Sequence, residues 1–480
     1  MSEERTTVSK DILIFSDGTG QFGGLAPDQR LSNVYKLYRA MRPGPDSDIP
    51  PSRQVAFYDA GLGTSERRGN FLQRMRTVAG SAFGTGIGEN VVDCYEAILK
   101  HWNPGDRVFL FGFSRGAYTA RCVANTMNLC GVPTRSASGG PVPRHGPALR
   151  EIAEEAVYRV YEHGSGRDRA EFEAEREEQA RRFRARHGSA GRGLDGEEQG
   201  NVAPIFIGVF DTVAALGSVI ARRILWTALG ASLAASGLAW WLDAPMVAVL
   251  LLAPAVAVLL TLASTARRQF KSIRNGPSRR GLSWHFARWN LKHYDRFLDT
   301  NVGFARHALA IDENRERFPY VPWARSADVT RMEERAAADG RKLPWLRQVW
   351  FAGNHSDVGG SYPEDESRLS DIALDWMVSE LTAIPEPPII SERMLRRHPD
   401  ACGLQHDEVQ WSRDSWFPRW WPGVLRFGWK ARTRKINPGA DLHPTVLERL
   451  SEPAVARYDQ VAAYRPDNLR GHDLASRFYA

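Results

Sequence analysis

Cysteine is scarce in this chain: Cys94, Cys122, Cys130 and Cys402 are the four among 480 residues, and no two show CxxC spacing. That excludes a disulfide scaffold and leaves reduced thiols in a cytosolic environment. The opening MSEERTTVSK has no apolar h-region, so no Sec-type signal peptide is expected there. No internal repeat is present. Wholesale disorder is excluded as well, because 43% apolar and 25% charged residues are ordinary globular usage. A dispersed excess of positive charge is also missing. The formal charge is +7, but residues 267–292 alone hold eight Lys/Arg and no acid. The rest is balanced, with 55 basic against 56 acidic residues. No nucleic-acid module is recognisable, and nucleic acid is not an expected partner.

What the chain does have is two long apolar runs. Ile224 to Leu242 is 19 residues without a charge and Ala244 to Ala266 is 23 more, with Asp243 and Pro245 at the turn between them. Each meets the roughly 20-residue length of a bilayer-spanning helix. Arg222–Arg223 and Arg267–Arg268 flank the pair, and Trp226, Trp240 and Trp241 fall near run ends. A transmembrane hairpin is expected, with both soluble parts on the cytoplasmic side of a bacterial inner membrane.

Around this insertion the sequence reads as α/β: a mostly parallel sheet with helices on both faces. Short apolar strands end in Asp- and Gly-rich turns at DILIFSDGTG (11–20), QVAFYDAGLGT (54–64), RVFLFGFSRG (107–116), IFIGVFD (205–211) and VWFAGNH (349–355). Helical spacing follows at 32–41, 85–102 and after Gly116. HALAID, around His307, has a helical look. The expected organisation is a first core part at 10–217, carrying a charged helical insertion at 134–200, then the hairpin at 222–268. A second core part follows at 269–385 and a C-terminal cap at 386–480.

The sharpest chemical signal is GFSRG at 112–116. Gly-x-Ser-x-Gly between a strand and a helix is the nucleophile elbow of α/β-hydrolases, which makes Ser114 the candidate nucleophile. A serine hydroxyl needs a base, and the base needs an orienting acid. The fold's chain order of Ser, acid, His selects Asp211 and His355, both at strand C-termini like Ser114. Weaker alternatives are His307 or His443 as base and Asp357 as acid, with Asp357 otherwise capping its local turn. The oxyanion donors expected are the backbone N–H of Arg115 and one from Gly18 or Thr19. Asp17 and Asp357 are expected to shape the site. No cofactor and no metal is expected. A haloacid-dehalogenase-type reading of SDGTG fails, because Phe15 stands where its first aspartate belongs.

Together FSDGTG, YDAGLGT, GFSRGAYTAR, GVFDTVAALG, RHALAIDENR and VWFAGNHSDVGGSY resemble the catalytic domain of type VI secretion phospholipase effectors of the first class, a family with many members of unassigned function. The resemblance covers about residues 10–385. It implies an α/β-hydrolase fold and ester hydrolysis on glycerophospholipids, with Ser114 as nucleophile, Asp211 as acid and His355 as base. The hairpin departs from a freely diffusing toxin. An immunity or accessory protein stays open as a further partner.

Residues 411–435 mix Trp411, Trp416, Trp420, Trp421 and Trp429 with arginines and a lysine, which suits a membrane headgroup layer. A packed lid or core loop is the plainer alternative. The leading reading is a membrane-anchored serine hydrolase whose partners are the bilayer and a phospholipid or other acyl ester. An esterase or thioesterase on a soluble acyl substrate, and a non-catalytic membrane scaffold that keeps the hydrolase fold, are the alternatives.

Overall fold

The computed structural model describes residues 9–18, 30–61, 86–213, 219–277, 281–287, 296–416 and 428–479. Chain order begins β1 (Asp11–Ser16), α1 (Asn33–Met41), β2 (Gln54–Asp59), α2 (Gly86–His101), β3 (Arg107–Phe113) and α3 (Arg115–Cys130). The charged insertion follows as α4 (Pro147–Glu154), a π-helical and 3₁₀ stretch from Glu155 to Gly164, α5 (Glu173–His187), and the small antiparallel pair β4 (Ala190–Arg192) and β5 (Glu198–Gly200). Next come β6 (Phe206–Phe210), the long helices α6 (Val219–Trp241) and α7 (Pro245–Gln269), and the antiparallel pair β7 (Phe270–Arg274) and β8 (Leu282–Phe286). The chain then runs through β9 (Phe304–Ala310), α8 (Ser326–Ala338), β10 (Leu346–Phe351), the short α9 (His355–Gly359) and α10 (Arg368–Thr382). It ends in α11 (Glu408–Trp416), α12 (Pro444–Ser451) and the small pair β11 (Val455–Arg457) and β12 (Gln460–Ala462).

Six strands form the central sheet in the order β10-β9-β6-β3-β1-β2, and every pairing is parallel. Such a sheet must be covered on both faces. The strands show it by alternation: Ile12, Ile14, Val108 and Leu110 pack with α2, α3 and the insertion, while Leu13, Phe15, Phe109 and Phe111 pack with α1 and α10. The chain passes from α1 on one face to α2 on the other, so the strand order reverses between β1 and β3. Open α/β sheets hold ligands at such a switch point, beyond the carboxyl ends of the strands.

One segment differs from the sequence reading. The HALA of HALAID lies on the buried strand β9 and is not helical, with Ile311 and Asp312 just past the strand's end. A short apolar run fits either state, and here the wholly buried place between β6 and β10 decides for strand. The C-terminal residues form a third core against β9 and β10, with Leu309, Ile311 and Trp350 packed on Val446, Leu450 and Leu469. Trp350 N–H donates to the Asp441 carbonyl at 2.8 Å and its carbonyl accepts from His443 N–H at 2.9 Å, which closes the sheet edge.

Helices α6 and α7 pair through small and polar residues. Ser236 Oγ donates to the Ala248 carbonyl at 2.8 Å, Ser232 donates to that of Leu251, and Ala239, Ala248 and Ala255 are buried. Asp243 takes φ +53° at the turn, where Pro245 opens α7. Trp241, Met246, Leu250 and Leu260 point away from the pair and are 66–79% exposed. Two spanning helices were the expectation. Among the described residues only α7 is long and apolar enough to cross a membrane. Helix α6 carries Arg222 and Arg223 in its first turns.

Candidate active site

The elbow explains the glycines of GFSRG. Ser114 sits between β3 and α3 at φ +60°, ψ −120°, a conformation costing a non-glycine residue of order 1–3 kcal/mol. A Cβ on Gly116 would collide with the Ser16 carbonyl, and one on Gly112 would reach 2.6 Å from the Ala117 Cα. The strained turn is therefore held because both flanks are stripped of side chains where strand, helix and the loop after β1 meet.

The neighbouring strand supplies the next group. β6 pairs with β3, Phe210 opposite Phe113, and Ser114 N–H donates to the Phe210 carbonyl at 3.1 Å. Asp211 follows at once, fully buried and also at positive φ, +36°. Its Oδ2 lies 2.6 Å from His355 Nδ1, and its Oδ1 accepts from Ala310 N–H at 3.0 Å. A carboxylate only accepts, so the proton of the His355 ring is on Nδ1 and the lone pair on Nε2. His355 is the first residue of α9, fixed by a capping box: the Asn354 side chain accepts from Ser356 and Asp357 N–H, and the Asp357 carboxylate accepts from Asn354 N–H. The imidazole stacks on Phe113, the residue before Ser114, at 4.6 Å between ring centroids, and Phe318 meets it edge-on.

Arg434 was not foreseen. Its guanidinium binds Asp211 in bidentate fashion, Nη1 to Oδ1 at 2.6 Å and Nη2 to Oδ2 at 3.0 Å, with both groups buried. Burial works to raise the Asp211 carboxyl, but Arg434 and His355 outweigh it and hold the group well below the usual carboxylate range. Arg434 comes from the Trp/Arg stretch read as interfacial. That stretch contributes α11, with Trp411 exposed, while Trp420 and Trp421 lie outside the described residues.

The other predicted residues have different surroundings. Asp17 is buried and accepts from Tyr58 Oη at 2.7 Å, from Ser32 Oγ and from Gly18 N–H at 2.7 Å. Burial lifts its pKa to about 6. The Gly18 amide is thus engaged by Asp17 and is not the oxyanion donor in this arrangement, although Gly18 lies against Ser114. Thr19 falls outside the described residues. Arg115 opens α3, whose first-turn amides have no intrahelical acceptor. Asp357 faces His406 Nδ1 at 2.7 Å and not His355. His307 is a core histidine on β9, accepting from Thr212 N–H at 3.2 Å, and burial lowers its pKa to about 3. His443 caps α12.

The family model for the type VI secretion system (T6SS) phospholipase effector Tle1-like catalytic domain matches residues 10–380. The chain belongs to that family. The Tle1-like match takes in Ser114, Asp211 and His355, whereas Arg434 lies beyond it. An uncharacterized yeast protein, YEL023C of Saccharomyces cerevisiae, is 29% identical over 130 residues, 26% of this chain and 18% of that one. Two solved structures show fainter likeness. One is an uncharacterized protein from Pseudomonas aeruginosa, 16% identical over 82% of this chain and 48% of that one, with a TM-score of 0.35. The other is the Tle1 effector bound to the VgrG spike, 15% identical over 75% of this chain and 53% of that one, with a TM-score of 0.28. The chain thus spans about half the length of these solved proteins and less than a fifth of the yeast one.

Proposed function

We propose that this Tle1-like chain is a serine carboxylic-ester hydrolase acting on phospholipid. Ser114 is the nucleophile, His355 the general base and Asp211 the acid that orients it. The observation that carries the reading is the His355–Asp211 contact of 2.6 Å beside a serine held at φ +60°. With its proton on Nδ1, His355 offers Nε2 to the Ser114 hydroxyl. As Ser114 Oγ attacks the acyl carbon, the hydroxyl proton passes to Nε2, Nδ1 keeps its own, and the imidazolium is stabilised by ionised Asp211. The developing oxyanion takes the Arg115 N–H, aided by the positive end of α3, and a second donor from the loop after β1, with Thr19 N–H the candidate. The imidazolium then protonates the departing alcohol, and water repeats the sequence to free the acid. Phospholipid is favoured over a soluble acyl ester by the apolar α6–α7 pair, which we read as a membrane anchor, although the second reading keeps the same chemistry.

The test is labelling with a fluorophosphonate, combined with turnover of a short-chain ester. Wild type should be labelled at Ser114, and Ser114→Ala should lose both label and turnover by several orders of magnitude while keeping its circular dichroism. A Ser114→Ala variant retaining a tenth of the wild-type rate would sink the assignment.

A further inference from the structure

Away from the sheet's carboxyl edge, three segments converge on a second cluster of chemistry-bearing side chains. His163 lies in the 3₁₀ turn Tyr161–Gly164, Glu175 in the first turn of α5, and His285 on β8. One ligand atom from each lies within 4.8 Å of the other two. His163 and Glu175 are buried, with His163 Nε2 at 3.1 Å from Glu175 Oε2.

The state of the His285 ring is what points to a ligand. Its Nε2 lies 2.6 Å from the His163 backbone carbonyl, which can only accept, so Nε2 carries the proton. Nδ1 is left with a lone pair that has no solvent access and no hydrogen-bond partner among the described residues. A buried acceptor left unmade costs about 1–3 kcal/mol. A backbone carbonyl taking the far N–H is also the usual arrangement behind a metal-bound histidine, fixing both tautomer and ring direction. The His285 ring is clamped further by stacking on Phe172, with centroids 3.8 Å apart and planes 14° from parallel. Glu175 is oriented in turn by Ser283 Oγ, which donates to its Oε1 at 3.2 Å. The nearby Lys271 ammonium is engaged by Glu162 and the Tyr158 carbonyl.

We propose that His163 Nε2, His285 Nδ1 and a Glu175 carboxylate oxygen bind a divalent transition-metal ion of the zinc type. Two imidazoles and one carboxylate are a zinc donor set, and a tetrahedral ion leaves its fourth position to water. At bonds of about 2.0–2.1 Å, such ligand atoms sit roughly 3.3 Å apart, so atoms now within 4.8 Å of one another draw in by up to about 1.5 Å on the ion. Both rings must be neutral, and burial lowers the pKa of His163, which favours that form. Because β7 continues directly from α7, the ion would fasten the foot of the long helix pair to the charged insertion. That role is structural and does not depend on the ester chemistry.

The test uses full-length protein stripped with chelator and titrated with Zn(II) alone against a chromogenic competitor. Wild type should take up one equivalent that His285→Ala holds roughly 100-fold or more weakly, the upper end of what disturbing a metal site's support costs. Zinc should raise the Tm of wild type and not that of the variant. Glu175→Gln, which keeps the shape, serves as the second variant. Co(II) added to wild type should give the d–d absorption of a four-coordinate ion, a readout needing no variant. Equal zinc uptake by wild type and both variants, or a cobalt complex without those bands, overturns the proposal.

Discussion

Arg434 and Asp211, 223 residues apart in the chain, form a bidentate buried ion pair, and the same carboxylate holds His355. The C-terminal segment is thereby wired into the proposed triad and does more than cover the sheet edge. Arg434 fixes Asp211 in place, and it also places a positive charge where an imidazolium must form.

Arg434→Gln should therefore act in two ways. Leaving Asp211 buried without its cation should cost about 3–5 kcal/mol of stability. Removing a fixed positive charge should also move the acid limb of the kcat/KM profile to higher pH. The sign follows from the lost cation, since a nearby positive charge disfavours an imidazolium; Asp211 is held well below its unfolded value and stays ionised. Its contribution is present above the unfolded pKa and is lost only as pH falls through the folded one, so an acid limb above pH 4 would not belong to it. Arg434→Lys keeps the charge without the fork and should fall between the two. A pH–rate profile unchanged in Arg434→Gln would make the arginine a packing residue only.

Asp211 and Asp357 were rival acids in the sequence, and their surroundings separate them. Asp211→Asn should lower turnover about 10⁴-fold, as loss of a triad acid does elsewhere. Asp357→Asn should stay within about tenfold of wild type in rate. It should lose of order 1–3 kcal/mol of stability, because the carboxylate serves the α9 cap and His406. Reversal of the two rate effects in a steady-state assay would exchange their roles.

The local chemistry was legible because its carriers are contiguous. GFSRG, GVFD and GNHSD each place their residue at a strand end, and parallel pairing brings those ends to one edge. Arg434 carries no such local signature. It is one of several arginines in a Trp-rich stretch, and only the packing of the C-terminal core turns it inward. HALA on β9 was ambiguous for another reason, since a histidine and three apolar residues satisfy either period. His163, Glu175 and His285 come from three separate segments, so no ligand spacing could have announced them.

Gly116→Ala should be among the most damaging single substitutions, because its Cβ meets backbone rather than a flexible side chain. Moving backbone in a packed elbow should cost roughly 4 kcal/mol or leave no folded protein. Gly140→Ala is the control, with open space around its Cβ except for Ser136 Oγ at 3.6 Å. Soluble yield and chemical denaturation compare them, and similar midpoints would mean that the elbow is looser than its contacts imply.

Asp17 offers a stability test at mild pH. Burial raises its pKa to about 6 in the fold from an ordinary 3.8. A raised pKa contributes stability that is full below the unfolded value and lost as pH climbs through the folded one. Between pH 4 and 6 this group alone should lower unfolding free energy as pH rises, by at most about 1.4 kcal/mol per pH unit. Asp17→Asn should flatten the pH dependence of Tm over that window. A curve parallel to wild type would place the titration on other carboxyls.

The last test concerns what the α6–α7 pair is for. Its interior is satisfied by its own small residues and serine hydroxyls, while its outer face exposes Leu233, Leu250 and Leu260. A pair so built gains little by standing in water and much by entering lipid, each apolar Å² removed from water being worth about 25 cal/mol. The sequence carries Arg222 and Arg223 near the start of α6 and Arg267 and Arg268 near the end of α7, a charge pattern that would suit anionic headgroups if the pair enters a bilayer. Leu233→Arg should therefore weaken membrane retention, by about 2.5–3.5 kcal/mol if the site sits mid-bilayer. Deleting residues 224–266 should spare hydrolysis of a short-chain soluble ester and abolish hydrolysis of phospholipid in vesicles. Loss of both activities would reduce the pair to a folding element. Retention of both would detach the chemistry from the membrane and favour the soluble acyl ester.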